Sequence, residues 1–194
     1  MRIATHSKVP ITLTLSILAA VMMAGLKPVA AQENHGLVKE LDSTVRLGGY
    51  LPSNHTIKTA VGDVILCGGI DHVIQHNSSV QSSIVSVDYI DKSNGNYGLR
   101  VIPVTFGQIT TQQTEDLSKS KIYFGYGVGV YFTKQNIPNA IGELESKNSI
   151  LYGGYLNVGF RVNQVFVIDA RYHAMTTNGS ANAGGLELTA GVNF

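Results

Sequence analysis

The sequence contains no tryptophan and a single cysteine, Cys67, in 194 residues. One cysteine excludes a framework of internal disulfides. Charged residues make up only 14% of the chain, and 14 Lys plus Arg stand against 13 Asp plus Glu, so there is no basic surface for nucleic acid. The length is typical of one domain. Abundant valine, isoleucine, threonine and tyrosine, with 21 glycines, favour strands over helices and over disorder.

The first 31 residues have the pattern of a secretory signal peptide. Arg2 and Lys8 precede an apolar stretch at 9–26, and Val29 and Ala31 supply the small residues that a signal peptidase requires. A membrane-spanning helix is the alternative, but a proline and several hydroxyl residues interrupt the apolar stretch. Cleavage after Ala31 leaves 163 residues (194 − 31), with 11 basic (14 − 3) against 13 acidic side chains. We therefore expect an exported, mildly acidic protein.

The C-terminal half alternates between large apolar and small or polar residues. Such alternation at a period of two predicts strands with two different faces. It is clearest in the segment at 122–133, whose even positions are Ile122, Phe124, Tyr126, Val128, Val130 and Phe132. The same pattern recurs at 150–163, 166–173 and 186–194. Glycines at 125, 127 and 129 lie on the opposite face, where we expect them to make room for Arg and Tyr side chains of neighbouring strands.

The N-terminal half has the same pattern in weaker form, which brings the predicted strand count to eight. Four further strands are predicted at about 45–51, 63–75, 80–91 and 97–108. Turn-forming residues separate the strands. The predicted loops on one side are 52–62, 93–96, 135–149 and 177–183, and a long connection, 109–120, lies on the other.

Charged residues are sparse in the predicted strands, which favours a membrane barrel over a soluble one. In an outer-membrane barrel, apolar residues face lipid and polar residues fill the lumen. The pattern directs four arginines and four carboxylates inward: Arg46, Arg100, Arg161, Arg171, Asp71, Asp88, Asp169 and Glu187. Eight strands leave a lumen just wide enough for side chains. Charges there must be paired, and guanidinium groups can bridge two carboxylates.

The chain resembles the small eight-stranded outer-membrane β-barrels of bacteria. The resemblance rests on the leader, the alternating strands and the ending at 186–194, which is similar to the assembly signal with Phe194 as its terminal aromatic. It implies an all-β fold, namely an antiparallel up-and-down transmembrane barrel at 43–194, after a leader at 1–31 and a periplasmic segment at 32–42.

The resemblance also implies a location and a set of partners. We expect a monomer in the bacterial outer membrane, with both termini in the periplasm, that contacts outer-membrane lipid and the barrel insertion machinery. No cofactor, metal or nucleic acid is expected, and the sequence names no surface partner. In the absence of tryptophan, the interfacial girdles must consist of tyrosine and phenylalanine: Tyr97, Phe106, Tyr123, Phe132, Tyr152, Phe160, Phe166 and Tyr172.

Three functions are compatible with such a barrel. The first is a structural or surface-interaction role through the exposed loops. The second is a conduit for small hydrophobic molecules that opens laterally near Pro103, because that proline interrupts the fourth strand. The inward residues near the proline are expected to be apolar: Ile65, Cys67, Ile102, Val104 and Phe106. The third is a lipid-acting enzyme using His173 and Ser180, but their spacing does not match the His-Ser pair of lipid A deacylases, so we assign no catalytic residue.

Overall fold

The computed structural model describes residues 43–78, 80–113, 120–138, 142–163, 165–177 and 181–194. These residues form eight strands and one short helix. The strands are β1 (Ser43–Pro52), β2 (Ile65–His76), β3 (Gln81–Asn94), β4 (Tyr97–Gln113), β5 (Ser120–Pro138), β6 (Leu144–Val162), β7 (Phe166–Met175) and β8 (Gly185–Asn193), and the helix is α1 (His55–Val61). The predicted leader and periplasmic segment lie outside the described residues. Within the described part of the chain, no helix is both long and apolar enough to cross a bilayer.

The strands close into one antiparallel barrel in which each strand pairs with its sequence neighbours. β1 and β8 complete the ring, with Val45 opposite Val192. At the end of this seam the Ser43 amide donates to the Phe194 carbonyl at 3.2 Å. Closure satisfies the backbone groups that an open sheet would leave unpaired, which a lipid environment requires. The predicted eight-stranded up-and-down barrel is confirmed.

The large apolar residues of the strands point away from the barrel axis. Phe124 is 49% exposed, Leu156 68%, Ile168 62% and Leu188 46%, whereas Asp169 on β7 is only 1% exposed. A soluble barrel would show the reverse, because burial of apolar surface stabilises a fold in water. The outer wall is therefore apolar, and charged residues such as Asp169 face the lumen, as the alternation predicts.

The two ends of the barrel differ. At the end that carries Ser43 and Phe194, hereafter the terminal end, the intervals between strands are residues 77–80, 114–119 and 163–165. At the opposite end, hereafter the helix end, the intervals are 53–64, 95–96, 139–143 and 176–184. The longest interval, 53–64, contains α1.

Three strands are longer than predicted. β4 continues to Gln113, so half of the expected connection at 109–120 is strand. The expected loop at 135–149 is also mostly strand, because β5 and β6 remain paired up to Pro138 and Leu144. Polar residues occupy both faces there, so the apolar alternation disappears although backbone pairing continues. Residues 144–152 of β6 extend past the last β6–β7 pair, which is Gly153 with Met175.

Helix α1 lies in a segment that the sequence predicted to be a loop. The Asn54 side chain caps it by accepting hydrogen bonds from the amides of Thr56 at 2.9 Å and Ile57 at 3.3 Å. Gly62, at φ 100°, ends the helix and donates its amide to the Lys58 carbonyl at 2.7 Å. With seven residues, the helix is too short to show a clear period in the sequence.

Candidate functional site

Helix α1 closes the mouth of the barrel at the helix end. Its buried side chains are Ile57, Ala60 and Val61. They pack into an apolar cluster in the part of the lumen nearest the helix end, hereafter the upper lumen. The strands and the β7–β8 connection contribute Tyr50, Ile65, Cys67, Ile90, Leu99, Val101, Tyr131, Ile137, Leu151, Met175 and Ala183. The Tyr50 hydroxyl donates to the Ala183 carbonyl and so ties β1 to this connection. The upper lumen is thus an apolar core.

Below this cluster, Arg46 lies at the centre of a group of carboxylates. Its Nη2 is 2.6 Å from Oδ1 of Asp88, its Nη1 is 2.8 Å from Oε1 of Glu187, and its Nε is 2.9 Å from Oδ2 of Asp71. The side chains of Arg46, Asp88 and Glu187 are fully buried. One guanidinium therefore holds three strands, β2, β3 and β8, to β1 from the inside.

Arg171 on β7, two strands from β1 around the barrel, completes the network. Its Nη2 is 3.2 Å from Oδ2 of Asp71 and its Nη1 is 3.4 Å from Oδ2 of Asp88. Its Nε is 3.5 Å from Oδ1 of Asp169, and its guanidinium carbon is 4.5 Å from the centroid of the Tyr155 ring. Asp71 and Asp88 thus bridge the two arginines across the lumen.

Polar side chains satisfy the outer members of this network. Oδ2 of Asp169 accepts hydrogen bonds from the Tyr123 hydroxyl and from the Asn157 amide, both at 2.8 Å. Glu187 lies 3.1 Å from Nε2 of His173, whose Nδ1 is 3.2 Å from the Tyr131 hydroxyl. Buried ionic groups with such partners are tolerated, and removal of one partner is strongly destabilising.

The structure brings together six of the eight predicted lumen charges and separates two. Arg161 faces inward nearer the terminal end, with its guanidinium carbon 5.9 Å from the Tyr123 ring centroid. The inward assignment of Arg100 is wrong, because Leu99 and Val101 of β4 face the lumen and Arg100 faces outward. There its Nη2 is 3.1 Å from Oδ2 of Asp91. The central network therefore has two arginines and four carboxylates rather than four of each.

Because the two faces of β4 are the reverse of those predicted, the surroundings of Pro103 also differ from the prediction. Ile102, Val104 and Phe106 were expected to line the lumen, but they face outward; Ile65 and Cys67 do face inward. Pro103 itself points inward and is opposite Tyr131 on β5. The Cα pairing of β3 with β4 skips Asp88 and Tyr89, the positions that face Pro103 and Ile102. It resumes in the same register, with Val87 opposite Val104 and Ile90 opposite Val101.

Glycines of the lumen wall make room for the tyrosines of the network. A Cβ at Gly127 would lie 2.4 Å from Cε1 of Tyr155, and a Cβ at Gly107 would lie 2.3 Å from its hydroxyl. A Cβ at Gly159 would lie 2.0 Å from Cζ of Tyr123. For Gly127, this confirms the expectation that the β5 glycines make room for side chains of neighbouring strands. It also removes Tyr123 from the predicted outer girdle, because the side chain is buried in the lumen.

Neither a catalytic pair nor a metal centre follows from the buried polar groups. His173 is fully buried among Tyr50, Tyr131 and Tyr155. Ser180, its candidate partner, lies outside the described residues. Ligand atoms of Asp88, His173 and Glu187 lie within 4.8 Å of one another. However, the Arg46 guanidinium contacts both carboxylates and already supplies the positive charge that a metal ion would bring.

Comparisons with known proteins support the fold. No protein-family model and no curated protein matches the chain. Among solved structures, it is similar to Neisserial surface protein A (NspA), with a TM-score of 0.55 and 16% identity over 78% of this chain and 96% of that one. The attachment invasion locus protein Ail of Yersinia pestis gives 0.48 and 16% over 80% and 99%. The outer membrane enzyme PagL gives 0.49 and 10% over 77% and 97%.

The closed barrel, the apolar outer wall and the buried ion pairs of the lumen define the class of this protein. It has the fold of the small eight-stranded outer-membrane β-barrels, with an outer wall that suits contact with lipid.

Proposed function

We propose that this protein is a closed barrel that acts through its outer surfaces, in a structural or surface-interaction role, and not as a pore. The observation that carries the proposal is the filling of the lumen at the helix end and in its middle. Helix α1 and the apolar cluster occupy the helix end, and the network around Arg46 and Arg171 occupies the middle. A solute entering the lumen would have to displace both a packed core and several ion pairs.

The filled lumen disfavours the other two functions. A conduit near Pro103 was expected from apolar lumen residues, of which Ile102, Val104 and Phe106 lie on the outer wall instead. An enzyme using His173 would need its imidazole to reach lipid, whereas that side chain is fully buried. A structural or surface-interaction role requires neither an open lumen nor an accessible His173.

The helix end supports an orientation and a candidate interaction surface. Outer-membrane barrels have short periplasmic turns and longer extracellular loops. This rule directs the helix end outward and both termini into the periplasm. The paired ends of β5 and β6 beyond Lys134 and Asn148, residues 135–138 and 144–147, then extend from the cell surface as a hairpin with an exposed Leu144 near its tip. We infer that this hairpin and the connection at 176–184 form the interaction surface.

Two measurements test the proposal. The purified barrel, reconstituted in a planar bilayer, is expected to give no stable conductance steps; regular open-channel steps would contradict the closed lumen. An epitope inserted between Gly142 and Glu143 is expected to bind antibody on intact cells. The matched insertion next to Val165, at the terminal end, should bind only after the outer membrane is permeabilised, and the opposite labelling would reverse the orientation.

A further inference from the structure

The outer wall carries three charged side chains among the outward-facing strand positions that the structure describes. They are Asp91 on β3, Arg100 on β4 and Lys134 on β5. The strand register places them side by side, because Asp91 is opposite Arg100 and Arg100 is opposite Lys134. Lys134 is in turn opposite Asn148 on β6. These four residues lie at a single height on the wall and are hereafter called the polar row.

The polar row contains an excess positive charge. Arg100 shares its charge with Asp91, at 3.1 Å, and Asp91 also accepts a hydrogen bond of 2.9 Å from the Tyr89 hydroxyl. Lys134, by contrast, has no ion-pair partner among the described residues. Adjacent strands lie about 4.8 Å apart, so both cations can contact the same anion.

An apolar surface lies directly below this row on the side of the terminal end. Ile102, Phe132 and Ile150 follow one another across β4, β5 and β6 in direct register. Phe132 is 46% and Ile150 60% exposed. Together with Arg100, Lys134 and Asn148 they line a groove of about 350 Å³. The groove thus has a cationic upper edge and an apolar floor.

The height of the polar row fits the boundary between headgroups and hydrocarbon. A cation on the lipid face costs about 2–4 kcal/mol at the bilayer midplane and about 0–1 near the interface. Below the row, the outer positions of β5 are apolar from Phe132 to Ile122. The cations therefore lie where lipid headgroups begin, and a phosphate is the anionic group that a guanidinium and an ammonium bind best there.

We propose that this groove binds one phosphorylated lipid of the outer leaflet. Lys134 and Arg100 hold the phosphate, Asn148 donates a hydrogen bond to the headgroup, and an acyl chain lies over Ile102, Phe132 and Ile150. The site rests on the proposed orientation, which directs the helix end to the cell surface, but it does not depend on any interaction made by the loops.

The amount of lipid that the barrel retains tests the proposed site directly. The barrel is refolded in phosphatidylcholine nanodiscs doped with lipid A, and the co-purified lipid A is quantified by native mass spectrometry. The double variant Arg100→Gln with Lys134→Gln is expected to retain about tenfold less, which corresponds to about 1.4 kcal/mol. Lys58→Gln, which removes a cation from α1, is the matched control and should retain as much as the native chain. Equal retention by the double variant would overturn the proposal.

Two further arms identify the source of the phosphate and test the apolar floor. Dephosphorylated lipid A should be retained as weakly by the native chain as lipid A is by the double variant. If inorganic phosphate displaces lipid A at equal concentration, the site is a free-anion site and the lipid proposal fails. Ile150→Asn should lower lipid retention while heat-modifiable gel migration stays unchanged; unaffected retention would exclude the acyl-chain contact.

Discussion

At the scale of single residues, Arg46 is the side chain on which most of the lumen depends. Its guanidinium contacts three carboxylates, and no other described side chain reaches Asp71, Asp88 and Glu187 together. Replacement by methionine would leave these buried carboxylates short of positive charge. We expect Arg46→Met to destabilise the barrel by about 3–5 kcal/mol, measured as a lower urea midpoint of the refolded protein in detergent micelles.

The matched control for Arg46 is Arg100, which also forms an ion pair with a carboxylate but lies on the outer wall. Its ion pair with Asp91 is partly exposed, with side chains 33% and 30% accessible. Exposed pairs contribute about 0–1 kcal/mol. Arg100→Met should therefore barely move the midpoint, and equal losses for both variants would show that burial does not set the contribution of the network.

Gly127 tests the packing of the lumen at the same scale. A methyl group there would meet the Tyr155 ring at 2.4 Å, whereas at Gly98 the nearest atom is 3.5 Å away. We expect Gly127→Ala to cost about 1–3 kcal/mol through overpacking and Gly98→Ala to be tolerated. The second substitution Tyr155→Leu should recover part of the loss, because it removes the clashing ring. Additive unfolding free energies in the double variant would exclude this contact as the cause.

At the scale of elements, helix α1 acts as a plug that closes the helix end of the lumen. The reactivity of the Cys67 thiol beneath it can report whether the plug is closed. Cys67, the single cysteine, lies beneath the helix and is 3% exposed. A maleimide should therefore react slowly with the folded barrel. Ile57→Ala removes buried side-chain volume that contributes about 2–5 kcal/mol, so we expect alkylation of Cys67 to become at least about tenfold faster through local opening.

The exposed helix position His55 supplies the control for the plug. His55→Ala leaves the buried face of α1 intact and should not change the alkylation rate. Heat-modifiable gel migration should remain native for both variants, because the strand ladders do not involve the helix. If Cys67 reacts equally fast in the native chain and in Ile57→Ala, the helix does not close the mouth.

At the scale of the whole molecule, the C-terminal residue separates folding from assembly. The Phe194 side chain is 52% exposed on the outer wall, while its backbone pairs with Ser43. Phe194→Ala keeps that pairing, so the purified barrel should refold with an unchanged midpoint. As the expected signal for the insertion machinery, however, its loss should lower the amount of barrel in isolated outer membranes.

Val192 is the appropriate comparison for this prediction, because it also faces outward on β8 and is 45% exposed. Val192→Ala removes similar apolar surface without touching the terminal aromatic. Normal membrane levels of Phe194→Ala, or an equal drop in Val192→Ala, would assign Phe194 no role in assembly beyond that of any lipid-facing residue.

The sequence by itself determined the number of strands, their approximate positions and the direction in which most side chains point. A period of two is a local property, and in β5 to β8 one face is apolar and the other is not, so the two faces cannot be confused. The chain's low charge and the apolar outer face then placed the barrel in a membrane.

Only the tertiary structure decided the facing of β4, the existence of the plug and the partners of the charges. β4 is apolar on both faces around Pro103, and the core under α1 draws Leu99 and Val101 inward, which turns Arg100 outward. The carboxylate partners of Arg46 lie 25 to 141 positions away along the chain. Local patterns carry no information over such separations, because barrel closure is what brings these side chains together.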